Sequence, residues 1–320
     1  MMNTEAPGFH HTPVMLTPCL DALRLKPDGI YADATLGGAG HSSEIAKRLT
    51  AGGRLIGFDR DPEAIAAAGL RLSPYSERVT LVNRNYTEVK SVLTELNITA
   101  LDGALMDLGV SSHQLDEAGR GFSYMQDAPL DMRMNQSDPL SAKEIVNTYP
   151  AEQLEAIIFT YGEERWAKRI VEFIVNARSQ SPIETTGELV DIIKRAVPKN
   201  ARRDGPHPAK RTFQAIRIEV NNELGGLQTA LHDFIDVLAP HGRLAVITFH
   251  SLEDRIVKNI LRERERGCTC PPECPVCTCG KKSAGRVITR KPILPTEAEL
   301  NENPRARSAK LRIFEKRSEE

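Results

Sequence analysis

No apolar run in this chain approaches the roughly 18 residues that a membrane span needs; Leu244 to Phe249 is typical of the longest. No basic stretch followed by an apolar one opens the N-terminus, so no secretory signal is expected and the cytoplasm is the expected location. Internal repeats and long low-complexity tracts are absent too, which excludes solenoids. Net charge is nearly absent, at −1, so the molecule is no polycation and any nucleic-acid binding must come from local patches. Cysteine is scarce outside one stretch: five of the six lie between Cys268 and Cys279. Reduced thiols are expected in a cytoplasmic chain, so a disulfide framework is not. What is present is ordinary for a globular protein, 40% apolar and 27% charged, over 320 residues, about two domains' worth.

The pattern alternates. Ile30 to Leu36 is a short apolar run followed by Gly37-Gly38-Ala39-Gly40, and Ser42 to Leu49 reads as a helix. Arg54 to Asp59 predicts a second strand, and Pro62, favoured in a first turn, opens a helix through Leu72. Val79 to Val82, a helix over Thr87 to Leu96, and a strand over Leu101 to Val110 complete the first half. Strands separated by such helices imply parallel pairing with crossovers. From Ser111 to about Pro150 periodicity fails, and a structureless loop that long is expected to be functional. Ser141-x-x-Glu144 and Thr185-x-x-Glu188 read as capping boxes at helix starts. Trp166, Ile170, Phe173, Ile174 and Ala177 form one apolar helical face, so residues 111–212 are expected to be a helical insertion. After it, Phe213 through Leu238 step by three and four as one long helix, bent at Gly225-Gly226. Strand Arg243 to Phe249, helix Leu252 to Arg264, strand Val287 to Arg290 and strand Ala309 to Glu315 follow. The expected fold is α/β: a doubly wound seven-stranded sheet from residues 1–110 and 213–320, interrupted after its fourth strand.

In such a sheet ligands bind beyond the carboxyl ends of the strands, where the strand order reverses. The glycine loop falls there. Asp59 ends the second strand about 20 residues later, placed to accept hydrogen bonds from both hydroxyls of an adenosine ribose. Two cofactors compete. Gly38-x-Gly40-x-x-Ser43 misses the dinucleotide fingerprint at its third glycine, which is serine, and NAD needs a pyrophosphate cradle at a helix N-terminus. S-adenosylmethionine carries a sulfonium and an amino group and no phosphate, so Asp33, Asp59 and Asp107 at successive strand ends suit it better. A bare tight turn with no ligand is the third reading. A nicotinamide oxidoreductase and a non-catalytic RNA-binding scaffold stand as the rival classes.

Ten motifs in order carry a family resemblance, among them His11-Thr12-Pro13-Val14, Asp33 to His41, Asp59-Arg60-Asp61-Pro62 and Asp107-Leu108-Gly109-Val110-Ser111-Ser112 with Gln114. Arg120-Gly121-Phe122-Ser123, Arg211-Thr212-Phe213-Gln214-Ala215 and Phe249 to Arg255 continue it. The chain resembles the ribosomal RNA small subunit methyltransferase H family nearly end to end. That resemblance implies a Rossmann-like methyltransferase sheet with a substrate-recognising helical insertion. It implies S-adenosylmethionine contacts at Ala39, Gly40, His41, Asp59, Tyr86, Asp107 and Gln114. The substrate it implies is one cytidine in the decoding region of small-subunit ribosomal RNA, free or in the assembled subunit, methylated at the exocyclic N4. Ala39 departs from the family, which has glycine there, and its methyl group narrows the backbone approach.

Chemistry assigns roles independently. Cytosine N4 is a poor nucleophile because its lone pair is delocalised into the ring. An acceptor on an N4 hydrogen localises that pair, and Asp107 at the fourth strand's end is the candidate. Phe249 is a candidate for base stacking and His250 for base hydrogen bonding; a core aromatic, and a helix cap at Ser251, are the alternatives. His41 is either a helix cap or a cofactor contact. Between Lys194 and Arg217 lie eight basic residues against one acid, Asp204. Arg202, Arg203, Lys210 and Arg211 are the RNA-binding candidates of this strip, which Pro198, Pro206 and Pro208 are expected to keep extended. The cysteine loop is expected to hold no metal, with zinc on Cys268, Cys270, Cys274, Cys277 and Cys279 as the alternative.

Overall fold

A computed structural model describes residues 13–50, 52–202, 207–268, 270, 276 and 278–318. It separates into two compact units, one made of 1–109 and 225–320, the other of Val110–Leu224.

The first unit is a seven-stranded sheet: β1 Ile30–Asp33, β2 Arg54–Phe58, β3 Val79–Val82, β4 Leu101–Asp107, β5 Leu238–Thr248, β6 Gly285–Val287 and β7 Lys310–Lys316. Their spatial order is β3-β2-β1-β4-β5-β7-β6. β3, β2, β1, β4 and β5 pair in parallel, and β7 runs antiparallel to both β5 and β6. The order reverses between β1 and β4, which is where a doubly wound sheet opens its ligand crevice. The strands read as apolar runs because both faces are covered: Leu55, Ile56 and Phe58 of β2 and Leu244 to Ile247 of β5 are wholly buried. Helix Pro62–Leu72 begins as expected, with Pro62 in its first turn and the Asp61 side chain accepting from Glu63 N. A helix over Leu16–Leu23, with Cys19, Ala22 and Leu23 buried, had no counterpart in the sequence reading. Eight residues without a capping side chain leave no periodicity to detect.

The second unit is helical. Ser141 and Glu144 close a capping box on helix Ala142–Thr148, and Thr185 and Glu188 close another on Thr186–Ala196, both as expected. The expected face of helix Ala167–Arg178 buries Ile170 and Ile174, while Trp166, Phe173 and Ala177 pack only partly buried. Three differences appear. The stretch after Ser111 is not structureless: it holds helix Ser112–Asp116, started by a capping box of Ser111 and Gln114. The long helix expected from Phe213 to Leu238 is two, Lys210–Asn221 and Leu227–Val237. The break comes at Asn222, in the left-handed conformation that asparagine tolerates, ahead of the two glycines. Phe213, Ala215, Ile216 and Val220 join the core of the helical unit, so that unit extends to Leu224 rather than ending at 212. Each of Phe213, Ile216 and Val220 contributes about 1.5–3 kcal/mol on burial. Among the described residues no helix is long and apolar enough to cross a membrane.

Candidate active site

The switch point of the sheet carries the polar chemistry. β1 ends in Asp33, β4 ends in Asp107, and Asp59 follows β2 directly. Parallel pairing of β2, β1 and β4 puts all three carboxylates on one edge. Asp33 is buried at 2% exposure. The Ser42 hydroxyl donates to its Oδ2 at 2.7 Å and Thr35 N to its Oδ1 at 3.2 Å. Burial nevertheless pushes its pKa up, outweighing those two hydrogen bonds. Thr35 also ties the strands together, since its hydroxyl oxygen accepts from Asp107 N at 2.6 Å.

The glycine turn follows. Gly37 N donates to Asp59 Oδ2 at 2.8 Å, and Asp61 N donates to Oδ1 at 2.9 Å. Each carboxylate oxygen has a second lone pair to offer. Burial, reinforced by Asp61 and Asp33, pushes Asp59 up to about 6 against these backbone hydrogen bonds. Ala39 is fully buried with φ 56°, a left-handed conformation that disfavours any Cβ. Gly40 is required for close approach: a Cβ there would stand 2.3 Å from Pro13 Cγ. Helix Gly40–Arg48 starts at this point with Ala39 as its N-cap.

His41 is therefore not the cap. It sits buried in the first turn, and its Nε2 lies 3.0 Å from the Val14 carbonyl. A carbonyl only accepts, so Nε2 carries the hydrogen and Nδ1 presents a lone pair. Burial lowers this histidine to about 4, so it is neutral at physiological pH. Nδ1 faces Asp107 Oδ2 at 3.7 Å, too far for a hydrogen bond. The Asp107 side chain is 25% exposed, yet its Oδ1 is buried with no hydrogen-bond partner among the described residues. Burial, then the nearby charges of Asp33 and Glu253, hold its pKa well above the ordinary carboxylate range. An orphaned buried acceptor at a switch point is the kind of atom a ligand satisfies.

On the neighbouring strand, His250 rather than Ser251 caps helix Ser251–Arg266. Its Nδ1 accepts from Glu253 N at 3.4 Å, while Glu253 Oε2 accepts from Phe249 N at 2.9 Å and His250 N at 3.3 Å. Nε2 lies 3.1 Å from Glu253 Oε1 but out of line for a hydrogen bond. The ring is thus engaged in fixing the helix start. The spacing His250-x-x-Glu253 was the available signal, hidden because histidine is an unusual first member of a capping box. Tyr86 lies beyond β3, half-buried at the start of a single turn over Tyr86–Glu88 that Asn85 caps. Of the sequence-predicted cofactor contacts, Ala39, Gly40, His41, Asp59, Tyr86 and Asp107 belong to the sheet unit. Gln114 belongs to the helical unit, where its buried side chain accepts from Ser111 N at 3.1 Å.

Among the described residues the basic strip is largely helical rather than extended, and Pro206 lies outside them. Lys194 and Arg195 end helix Thr186–Ala196, Lys199–Arg202 form a helical turn, and Lys210, Arg211 and Arg217 lie on helix Lys210–Asn221. The prolines at 198 and 208 stand between helices instead of preventing them. Lys210 and Arg211 are exposed, and Arg211 Nη1 donates to the Glu163 carbonyl at 3.0 Å. Arg217 is paired with Glu223 at 2.8 Å and is not available to phosphate. Arg203, Cys274 and Cys277 lie outside the described residues. Cys268, Cys270 and Cys279 bring their sulfur atoms within 4.8 Å of one another.

A doubly wound sheet with its last strand antiparallel, and with acidic strand ends around a glycine turn at its switch point, defines an α/β methyltransferase. The chain belongs to the MraW methylase family, whose model matches residues 8–317. It is 58% identical to the ribosomal RNA small subunit methyltransferase H of Clostridioides difficile strain 630, over 96% of this chain and 99% of that one. Proteins of the same name from Heliobacterium mobile and Brevibacillus brevis strain 47 are 56% and 57% identical, over 96% and 97% of this chain and 99% and 98% of theirs.

Proposed function

We propose that this enzyme methylates the exocyclic N4 of one cytidine in the decoding region of small-subunit ribosomal RNA, using S-adenosylmethionine. The observation that carries the reading is Asp107 Oδ1, buried and unpartnered at the strand end beside the glycine turn. When bound, the cofactor supplies an electrophilic methyl carbon on a sulfonium. Asp59 keeps a lone pair on each oxygen for ribose hydroxyls. Ala39 and Gly40 bring backbone close to the cofactor, and the acidic edge favours its cationic groups over a pyrophosphate. Asp107 accepts a hydrogen from the target N4, which localises the nitrogen lone pair. Its raised pKa makes it the better proton acceptor as N4 becomes positive. His41 is a positioning residue that holds the turn to Val14, and His250 positions the helix after β5. The target base must be single-stranded or extruded from its stack to reach such an atom. Arg202, Arg203, Lys210 and Arg211 hold RNA phosphates.

The test is to incubate the protein with labelled S-adenosylmethionine and small subunits, or their RNA, from cells lacking the enzyme. Mapping by mass should find one methyl group on the exocyclic nitrogen of a single decoding-region cytidine. Label on a ring carbon, on ribose or nowhere refutes the proposal.

A further inference from the structure

The segment between helix Ser251–Arg266 and β6 is the one place where the chain concentrates thiols. Its arms are held together at the base. Ala284 N donates to the Arg264 carbonyl at 2.8 Å, and Val287 N to Glu265 Oε1 at 2.8 Å. Gly267, with φ 67°, is what allows this approach: a Cβ would stand 2.4 Å from backbone atoms of Lys282 and Ser283. Beyond that closure nothing apolar holds the described part of the loop. Val276 is 70% exposed, and Thr278, Gly280, Lys281 and Lys282 are exposed as well.

Yet three half-buried thiols converge there from opposite arms. Cys268, Cys270 and Cys279 have their sulfur atoms within 4.8 Å of one another, and Cys268 and Cys279 are 3.7 Å apart. A disulfide needs about 2.05 Å. Thiolates on a tetrahedral zinc at about 2.3 Å stand about 3.8 Å from each other, the edge of that tetrahedron. Thr278 N donates to Cys270 Sγ at 3.4 Å, the type of backbone support that orients a metal-bound sulfur.

We propose that Cys268, Cys270 and Cys279 bind one zinc ion as thiolates, in a structural site separate from the methyl-transfer chemistry. The sequence expectation for this loop is no metal, and the convergence of three thiols from two arms favours the zinc alternative instead. Binding releases the thiol protons and cross-links the two arms of the loop.

Metal analysis of the full-length chain purified under reducing conditions should find about one zinc per chain. Exchange with cobalt should produce the intense visible bands of tetrahedral cobalt thiolate. The loop thiols should react with a thiol reagent only after a chelator is added. Cys268→Ser with Cys279→Ser should lower bound zinc to under about a tenth of an equivalent. If that variant does not fold, cobalt titration of the unaltered metal-stripped chain decides by itself. Less than about a tenth of an equivalent of zinc with no cobalt thiolate bands overturns the site, as does a Cys268–Cys279 disulfide in anaerobically purified protein.

Discussion

The two units bury polar side chains for different purposes. In the helical unit, buried Asn221 accepts from Met134 N at 2.8 Å and donates to the Met132 and Arg217 carbonyls at 2.8 and 2.9 Å. Arg120 likewise donates to the Arg133 and Met134 carbonyls. These hydrogen bonds to backbone pin a loop, although the same unit also holds a buried hydroxyl oxygen, Thr212 Oγ1, with no hydrogen-bond partner among the described residues. In the sheet unit, Asp33, His41, Asp59 and Asp107 crowd one edge with shifted pKa values, and Asp107 retains an unpartnered oxygen. Native structures rarely leave a buried acceptor unpaired without a reason in function. Charge divides the same way. The sheet edge is acidic, while the helical unit exposes the basic side chains of Lys199, Lys210 and Arg211 and keeps Arg202 half-buried.

The contrast can be broken by substitution. Asp107→Ala should lower turnover at saturating cofactor about 100-fold or more, because it removes the acceptor on the reacting nitrogen; near-normal methylation would remove Asp107 from the chemistry. Neutralising Arg202, Arg203 and Lys210 together should weaken RNA binding roughly 30-fold and flatten the log–log salt slope by about two. Cofactor affinity, measured by calorimetry, should not move; an unchanged RNA affinity would return these residues to ordinary surface. Asp59→Asn should weaken cofactor binding about tenfold, from loss of charge-assisted hydrogen bonds to ribose. In the unaltered enzyme the ionised carboxylate is a stronger acceptor than the carboxylic acid. With its pKa near 6, cofactor affinity should be constant above pH 7 and fall below 6 to a plateau about tenfold weaker, the level of the Asn variant. For stability the sign is opposite: a raised carboxyl pKa favours the folded state below about 4, and that contribution is lost as pH rises through about 6. The Asn variant should lack the affinity step.

Smaller effects sharpen the same division. Asn221→Ala should cost the helical unit about 2–3 kcal/mol by orphaning backbone groups, visible as a lower melting temperature with unchanged cofactor affinity. Ala39→Gly should stabilise the sheet unit by about 1 kcal/mol, since glycine takes the left-handed conformation without strain. A destabilised Ala39→Gly variant would mean that the methyl group is held by packing worth more than the strain.

The readable parts of the fold were those with strong local signals. Apolar runs alternating with helices disclosed the sheet, Pro62 marked a helix start, and two capping boxes fell where Ser141 and Thr185 indicated. Long-range packing decided what was missed. Helix Lys210–Asn221 continues the periodicity of the next helix but buries its face in the other unit, and only the reversal at Asn222 separates them. Asp33, Asp59 and Asp107 were legible as strand-end acids because period and position sufficed. Their differing states were not: Asp33 is satisfied by Ser42 and Thr35, whereas Asp107 lacks a partner on one oxygen, and that follows from neighbours distant in sequence. His250 as a helix cap was obscured by its residue type, and the meeting of Cys268 with Cys279 depends on the closure at Gly267.

A cationic cofactor held by the acidic strand ends must lose affinity when those acids are removed. Calorimetric titration of S-adenosylmethionine into the folded chain, beside its Asp59→Asn and Asp107→Ala forms, tests it most directly. One site per chain, weakened by either substitution, is the predicted result. Well-folded protein that takes up no adenosyl donor at millimolar concentration, or whose affinity ignores both changes, would contradict it.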